Sequence, residues 1–254
     1  MEYAESRPYA PGDDARHIDW RLTARSGKPH TKLFQAERER ISLIIADTAP
    51  QLYFGTRVRF KSVQAARAGA VAAWAAQRRG DRIGALRGTS SEPPITPAGG
   101  SRGALRTLDA LVRWYAQPPA QDLGLDHALA TAARLLHPGA SLVVLADASS
   151  LADVAPGRLS ALATHHDLLA ILLTDPLELK PPRERLPFAL GDARIELDLD
   201  SPATRARWQH VFAEEVQAQT QRLRGMGARV NVLRSDDGTD ALLAALLDHR
   251  RVAA

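Results

Sequence analysis

The sequence predicts an α/β fold in which a mostly parallel sheet is covered by helices on both faces. Nearly continuous apolar runs of strand length occur three times, as ISLIIA at 41–46, SLVVLAD at 141–147 and LLAILLT at 168–174. Runs of this kind are typical of strands that are buried on both faces. Between them lie longer segments with apolar residues at helical spacing, and such alternation of strand and helix indicates a parallel sheet.

The first half of the chain contributes two strands and three helices to this prediction. The run at 41–46 ends in Asp47, which indicates a central strand whose carboxyl end opens into a loop. A helix is predicted at 61–78 with Gly80 as its stop, followed by a strand at 81–86 and a surface loop at 87–103. Two more helices are predicted at 105–115 and 125–136. The expected buried stripe of the first helix is Val63, Ala66, Ala70, Val71 and Trp74.

The second half continues the alternation and adds a hairpin. A helix is predicted at 156–165, between the second and third apolar runs. Two short alternating segments, 186–190 and 194–199, predict a β-hairpin around Gly191 and Asp192. A long helix at 203–224 follows, capped by Ser201, and a strand at 228–233 and a helix at 240–250 close the fold. The expected buried stripe of the long helix is Trp208, Val211, Phe212, Val216 and Leu223.

Length and composition predict one generous domain with an N-terminal appendage. With 254 residues, 45% of them hydrophobic, we expect an appendage at 1–40 and a domain at 41–254. The net charge of +4 comes from Arg scattered among nearly as many acids, so no nucleic-acid footprint is expected. There is no cysteine, which suits a cytoplasmic location, and no apolar run long enough for a membrane helix.

The N-terminal stretch RPYAPGDDARHIDW at 7–20, continued by RLTAR at 21–25, is the densest mixture of aromatic, acidic and basic residues in the chain. Pro11, Gly12 and the two acids Asp13 and Asp14 form a strong turn and helix-start signal, so a short helix is predicted at 15–24. Two interpretations stay open, a well-capped structural plug and a partner-binding surface. The residues of this signature segment are Arg7, Tyr9, Pro11, Gly12, Asp13, Asp14, Arg16, Ile18, Asp19, Trp20, Ala24 and Arg25.

The same string resembles the signature of a bacterial family known as domain of unknown function fifty-eight. The resemblance extends through ADTAPQLYFGT at 46–56, LLTDPLE at 172–178 and the Arg-rich helix after Asp200. It implies a von Willebrand factor A-like fold and, as partner, a MoxR-type AAA+ ATPase commonly encoded beside the family's members. Members often carry hydrophobic segments upstream of the signature, and this chain begins only a few residues before it. No activity comes with the resemblance.

Three acids, Asp47, Asp147 and Asp175, follow predicted strands, where ligands of open α/β sheets bind. The resemblance implies that this region corresponds to a metal-ion-dependent adhesion site, in which a DxSxS loop and residues of other loops hold magnesium through oxygen atoms. Here the loop contains Asp47, Ala49 and Gln51, so both serines are missing. We therefore expect a degenerate cleft without a specific metal, in which Asp47 and Asp147 share at most a weakly held magnesium ion.

The sequence lacks the patterns of several enzyme classes. HExxH, GxxxxGK and GxGxxG are absent, so any nucleotide dependence has to come from a partner. The one GxSxG string, GGSRG at 99–103, falls in the predicted surface loop rather than in a turn from a buried strand to a helix, so no serine-nucleophile elbow is predicted. The prediction is a non-enzymatic protein-binding module without a cofactor, acting as partner or adaptor of a MoxR-type ATPase or another protein in assembly or maturation. The alternative is a metal-dependent phosphohydrolase or nuclease that uses Asp47, Asp147 and Asp175. An electrostatic nucleic-acid binder is a weaker competitor.

Overall fold

The computed structural model describes residues 2–35, 40–190 and 193–247, and its contacts divide the chain into two compact units, Met1–Glu39 and Arg40–Ala254. In the first unit, strand β1 (Glu2–Pro8) pairs antiparallel with strand β2 (His30–Gln35). The chain between these strands contains a 3₁₀ turn at Ala15–His17 and helix α1 at Trp20–Ser26. The predicted signature segment therefore lies mostly in the connection of a two-stranded ribbon.

The prediction of one helix at 15–24 was wrong, because two residues in its middle are not helical. Ile18 is extended and forms a β-bridge to Thr31. Asp19 is the N-cap of α1, where its side chain accepts hydrogen bonds from the backbone N–H groups of Arg21 and Leu22. The cap makes a new helix start at Trp20, and Gly27 ends it with a φ of 67°.

Within the described part of the larger unit, six strands form one sheet in which all neighbours but one are parallel. The exception is the edge strand Ile95–Ala98, which pairs antiparallel with its neighbour. The predicted loop at 87–103 was therefore wrong in part, since it contains that edge strand. The strands in spatial order are β10 (Arg229–Arg234), β7 (Asp167–Thr174), β6 (Ser141–Ala146), β3 (Ile41–Ala46), β4 (Arg82–Arg87) and β5 (Ile95–Ala98).

Helices cover both faces of this sheet, as predicted. Side chains alternate along β3, so that Leu43 and Ile45 belong to one hydrophobic cluster while Ile44 and Ala46 belong to the other. The first cluster includes residues of α4 (Gly124–Leu135), α6 (Pro156–His165) and α9 (Glu215–Gly225). The second includes residues of α2 (Lys61–Arg78), α3 (Gly100–Ala116) and α10 (Thr239–Leu247). The mixed α/β architecture of the prediction is confirmed.

Helix α2 buries a different face from the predicted stripe, because Val63 and Trp74 are exposed. The buried face of α2 consists largely of alanine and glycine, which allows α3 to approach closely. A Cβ added to Gly69 would lie only 2.5 Å from the side chain of Leu111 in α3. At its N-terminal end the buried face also includes the polar residue Lys61. The alanines of the buried face are Ala65, Ala68, Ala72, Ala73 and Ala76.

The elements after β7 follow the prediction with local differences. Strands β8 (Arg185–Leu190) and β9 (Ala193–Asp198) form the hairpin, while its predicted turn residues, Gly191 and Asp192, lie outside the described residues. The predicted long helix consists of α8 (Pro202–Gln209), a π-helical turn at His210–Glu214 and α9, and Val211 of its predicted stripe is exposed. The predicted last helix is described only to Leu247. Two short helices, α5 (Ala148–Ala152) and α7 (Pro176–Leu179), were not predicted.

Candidate functional site

The three predicted acids follow the carboxyl ends of β3, β6 and β7, and all three are buried. Asp147 and Asp175 are the N-caps of α5 and α7. The parallel sheet places these ends at one edge, so the loops that follow the three strands meet there. This edge is where the polar side chains with a possible chemical role lie.

Asp47 connects two loops by accepting backbone hydrogen bonds. Its Oδ1 accepts from the Ala49 N–H at 3.0 Å, and its Oδ2 accepts from the Asp147 N–H at 3.0 Å. Burial raises the pKa of Asp47 to about 6, against the opposing effect of these hydrogen bonds and of one from the Ser150 side chain. Ala49 thus contributes its backbone to the site, while Gln51 is exposed.

The most unusual feature of the edge is Lys61, the first residue of α2, whose side chain is 1% exposed. Its Nζ donates to Asp147 Oδ2 at 2.6 Å and to Glu178 Oε1 at 2.6 Å, and lies 5.9 Å from the centre of the Phe54 ring. Burial alone would lower the pKa of Lys61, but the two carboxylates outweigh it and hold the pKa above its ordinary value. An ammonium group therefore lies between two acids of different loops.

The outer oxygens of both carboxylates are fixed by other donors. Asp147 Oδ1 accepts from the backbone N–H of Ser149 at 2.9 Å and from its hydroxyl at 2.7 Å. Glu178 Oε2 accepts from the Asp175 N–H at 2.8 Å, while Asp175 caps α7 by accepting from the Leu177 N–H, which completes a capping box. The inner oxygens are thereby aimed at Lys61.

The carboxylate of Asp175 accepts hydrogen bonds from two hydroxyl groups and from the backbone. Its Oδ1 accepts from Thr56 Oγ1 at 2.5 Å and its Oδ2 from Ser235 Oγ at 2.6 Å and the Thr56 N–H at 3.1 Å. Burial would raise the pKa of Asp175, but the hydrogen bonds, that of Ser235 foremost, lower it below its usual value. Asp175 therefore ties the loops after β3 and β10 to α7.

We call Asp47, Lys61, Asp147, Asp175 and Glu178 the strand-end network. Its oxygen atoms do not fit a magnesium site, because those of Asp47 and Asp175 accept from N–H and hydroxyl donors and the inner one of Asp147 accepts from Lys61. Among the described residues, no group of three or more His, Asp or Glu side chains has a metal-binding arrangement. The arrangement suits a fixed scaffold for the surrounding loops.

Sequence reasoning missed Lys61, Glu178, Thr56, Ser235 and Ser149. The spacing of Asp175 and Glu178 is that of a capping box, so this part of the network carried a recognisable signal. Lys61 carried none, since a lysine at the start of a helix is ordinarily exposed. Its partners lie 86 and 117 residues further along the chain.

The loop between β3 and α2 presents apolar side chains from a fixed backbone. Arg59 donates through one guanidinium nitrogen to the carbonyl oxygens of Ser235 and Asp237, both at 2.8 Å. The Lys61 N–H donates to the Phe54 carbonyl at 2.8 Å. Val58 and Phe60 of this loop are nevertheless 60% and 52% exposed, and Val63 in the first turn of α2 is 43% exposed. We call these three residues the loop patch.

A cleft of about 510 Å³ lies in the same region of the larger unit. Its walls come from the loop after β3, from α7 and from β8. Arg57, Lys180 and Glu184 contribute exposed charges to it, and the apolar lining includes Phe54, Leu177 and Phe188.

The signature segment divides into residues that hold its fold and residues that face outward. Arg7 pairs with Asp13 at 2.6 Å, Asp13 also accepts from the Ala10 N–H, and Asp19 accepts from the Ser6 hydroxyl at 3.2 Å. The Ala10 bond foremost, with Arg7, lowers the pKa of Asp13. Gly12 has a φ of 108°, which the turn requires. The exposed residues are Pro11, Asp14, Arg16, Trp20, Ala24 and Arg25, and Tyr9 and Ile18 are half-buried. Asp14, although exposed, caps the 3₁₀ turn by accepting from the Arg16 N–H.

Trp20 is 70% exposed, so the first unit does not cover it. Ile18 precedes α1 and joins the ribbon through its bridge to Thr31, whereas Trp20 begins the helix. The internal contacts of Arg7, Asp13 and Asp19 therefore favour a structural plug, whereas the exposure of Trp20 favours a partner-binding surface.

Fold and site together define a mixed α/β protein in which an internal ammonium and hydroxyl donors engage the acids at the sheet edge. Residues 5–222 match the family model described as "Protein of unknown function DUF58", and the chain belongs to that family. The family part of the expected resemblance is thereby confirmed.

Uncharacterized proteins of Mycobacterium bovis and of two strains of Mycobacterium tuberculosis are 31% identical over 243 residues, covering 92% of this chain and 75% of each relative. A crystal structure described as an aerotolerance-related membrane protein from Bacteroides fragilis is similar with a TM-score of 0.49 and 14% identity, covering 81% of this chain and 96% of that one. In the described part of the present chain, the helices are too short or too polar to cross a membrane.

Proposed function

We propose that this protein is a non-enzymatic, cytoplasmic protein-binding module that acts as partner or adaptor of a MoxR-type AAA+ ATPase in protein assembly or maturation. In this proposal the fold is von Willebrand factor A-like and the strand-end network is a degenerate metal-ion-dependent adhesion site. The family resemblance of the signature and of the strand-end loops supports the partner class. The loop patch supports the binding role.

The observation that carries the proposal is the combination of exposure and fixation in the loop patch. Val58 and Phe60 leave more than half of their surface exposed, although the loop that bears them is bonded to two other loops. Burial of exposed apolar groups against a partner removes them from water and thereby stabilises the complex. A loop that is already fixed loses little conformational entropy on binding, and aromatic residues are frequent binding hot spots.

The polar residues favour a scaffold over a catalyst. A phosphohydrolase or nuclease of the two-metal type needs several carboxylates that converge on ions. Here Asp47 accepts from backbone donors, Asp147 from Lys61 and Ser149, and Asp175 from Thr56 and Ser235. Activity on a generic phosphodiester with manganese, lost in Asp47→Asn, would support the enzyme instead.

The test of the binding role is a double substitution in the loop patch, Val58→Ser with Phe60→Ser. Its matched control is Leu105→Ser with Val112→Ser on α3, whose side chains are 56% and 64% exposed. Affinity for the MoxR-type ATPase of the same genome is measured with ATP present, together with the ATPase rate. We expect the patch variant to bind about tenfold more weakly or worse and the control to bind like the unchanged protein.

Each outcome decides one part of the proposal. Failure of the unchanged protein to bind or to alter the ATPase rate at micromolar concentration refutes this partner. Equal affinities of the patch variant and the control refute the patch as the contact. Loss of binding in Trp20→Ser alone would transfer the contact to the signature segment.

A further inference from the structure

We infer that the Lys61 ammonium is a built-in cation that takes the place of a divalent ion at the strand ends. The inference deepens the proposed degenerate adhesion site, but it depends on no particular partner. It concerns what holds the loops after β3, β6 and β7 in one arrangement.

The surroundings of Lys61 Nζ have the organisation of a metal site. Two carboxylate oxygens, one of Asp147 at the start of α5 and one of Glu178 in α7, approach the cation to 2.6 Å each. The other oxygen of each carboxylate is bound by the chain around it, from Ser149 in one case and Asp175 in the other. Metal-ligating side chains are usually oriented by such outer contacts.

Electrostatics explain why a cation is required there. Asp147 and Glu178 are both buried, and two carboxylates that aim oxygens at one point repel each other unless a positive charge separates them. Lys61 provides that charge and is itself almost fully buried. A charged hydrogen bond also fixes direction, because one N–H of the ammonium aligns with the Asp147 oxygen and another with the Glu178 oxygen.

The position of Lys61 in its own helix excludes a simpler local reason for the lysine. It is the first residue of α2, and the positive end of the helix dipole disfavours a cation there. The interactions that favour lysine at this position therefore come from the two acids, across 86 and 117 residues of chain.

A consequence is that the strand-end network assembles without any ion. The loop after β3 leads directly into Lys61, α5 follows Asp147, and Glu178 belongs to α7, so one ammonium joins all three. A chelator should leave this protein unchanged. Removal of the ammonium should create a vacancy between oxygens that suit calcium, whose bonds to oxygen are about 2.3–2.6 Å long.

The test is thermal unfolding of isolated full-length protein in EDTA and then in calcium up to about 10 mM, a range that covers weak calcium sites. Lys61→Ala is compared with the unchanged protein, with Lys61→Ala/Glu178→Gln, and with Lys180→Ala. The last variant removes the same charge from an exposed lysine near the same face.

We expect Lys61→Ala to melt at lower temperature in EDTA and to regain about 3 °C or more with calcium in a saturable manner. The double variant should regain nothing, and the unchanged protein and Lys180→Ala should respond to neither EDTA nor calcium. A saturable calcium response of the unchanged protein, or none in Lys61→Ala, would overturn the inference.

Two further outcomes also decide. Should Lys61→Ala fold only when calcium is present, the inference holds, and should it stay unfolded in both conditions, the inference fails. Because no partner takes part in this experiment, its result is separate from the fate of the proposed ATPase binding.

Discussion

Replacing Lys61 by methionine tests the energetic role of the strand-end network directly. Methionine keeps most of the volume of the lysine stem and removes the charge, so the change acts mainly on Asp147 and Glu178. Their side chains are 12% and 10% exposed, which leaves both carboxylates nearly without water once the ammonium is gone. The expected effect is therefore a loss of stability.

The magnitude follows from the burial of the three groups. Removing one partner of a buried ion pair costs about 3–5 kcal/mol, and the slight exposure of the two acids places Lys61→Met near 3 kcal/mol. For a domain of this size that loss lowers the melting temperature by roughly 6–12 °C. Lys61→Met/Glu178→Gln should recover about 1–2 kcal/mol, because the second substitution removes one of the two repelling charges.

The assay is urea unfolding followed by far-ultraviolet circular dichroism at neutral pH, with Lys180→Met as the control for a lysine that is exposed. A loss below about 1 kcal/mol in Lys61→Met would be typical of a surface ion pair and would contradict the assigned burial. A double variant no more stable than the single one would contradict the proposed repulsion between the acids.

Two further predictions concern the same edge. The pKa of Asp47 is raised to about 6, so folding favours its protonated form relative to the unfolded chain, and this favourable contribution to stability is present at low pH and lost as pH rises through 6. Between pH values of about 7.5 and 5 the unchanged protein should gain about 1.4 kcal/mol of unfolding free energy that Asp47→Asn does not gain, and equal pH profiles in urea would refute this. Thr56→Val should cost about 1.5–3 kcal/mol, because Asp175 loses a charged hydrogen bond, whereas Thr164→Val removes only a bond to a backbone carbonyl. Equal melting temperatures of these two variants would show that the Thr56 hydroxyl is not stabilising.

The strands of the sheet were predictable because the sequence pattern that indicates each of them lies within the strand itself. An apolar run such as that of β3 has few ways to be buried, and helices of suitable length separate the runs. Strand β5 escaped prediction because it contains Pro97, which a strand accommodates readily only at an edge. Helical spacing also failed on α2, since alanine occurs all around this helix and gives no preferred face.

The site was predictable only where its contacts are local. The acids at strand ends and the spacing of Asp175 and Glu178 are visible in the sequence, and the structure places them at one edge. The contact of Lys61 with Asp147 depends on how α2 packs against the sheet. Local sequence patterns do not reveal this packing. The absence of serines beside Asp47 was visible in the sequence, whereas the burial of Lys61 between two carboxylates was not.

The strand-end network and the loop patch are connected by the chain itself. Phe60 precedes Lys61 directly, and the same loop is held at Thr56 by Asp175 and at Arg59 by two carbonyl groups of the loop after β10. The exposed side chains of Val58 and Phe60 therefore derive their fixed positions from polar contacts of neighbouring residues in the same loop. In the inference drawn above, the Lys61 ammonium organises these loops through its contacts with Asp147 and Glu178, without a bound ion. On the proposed function, binding through the loop patch would be constitutive, and its control would come from the partner.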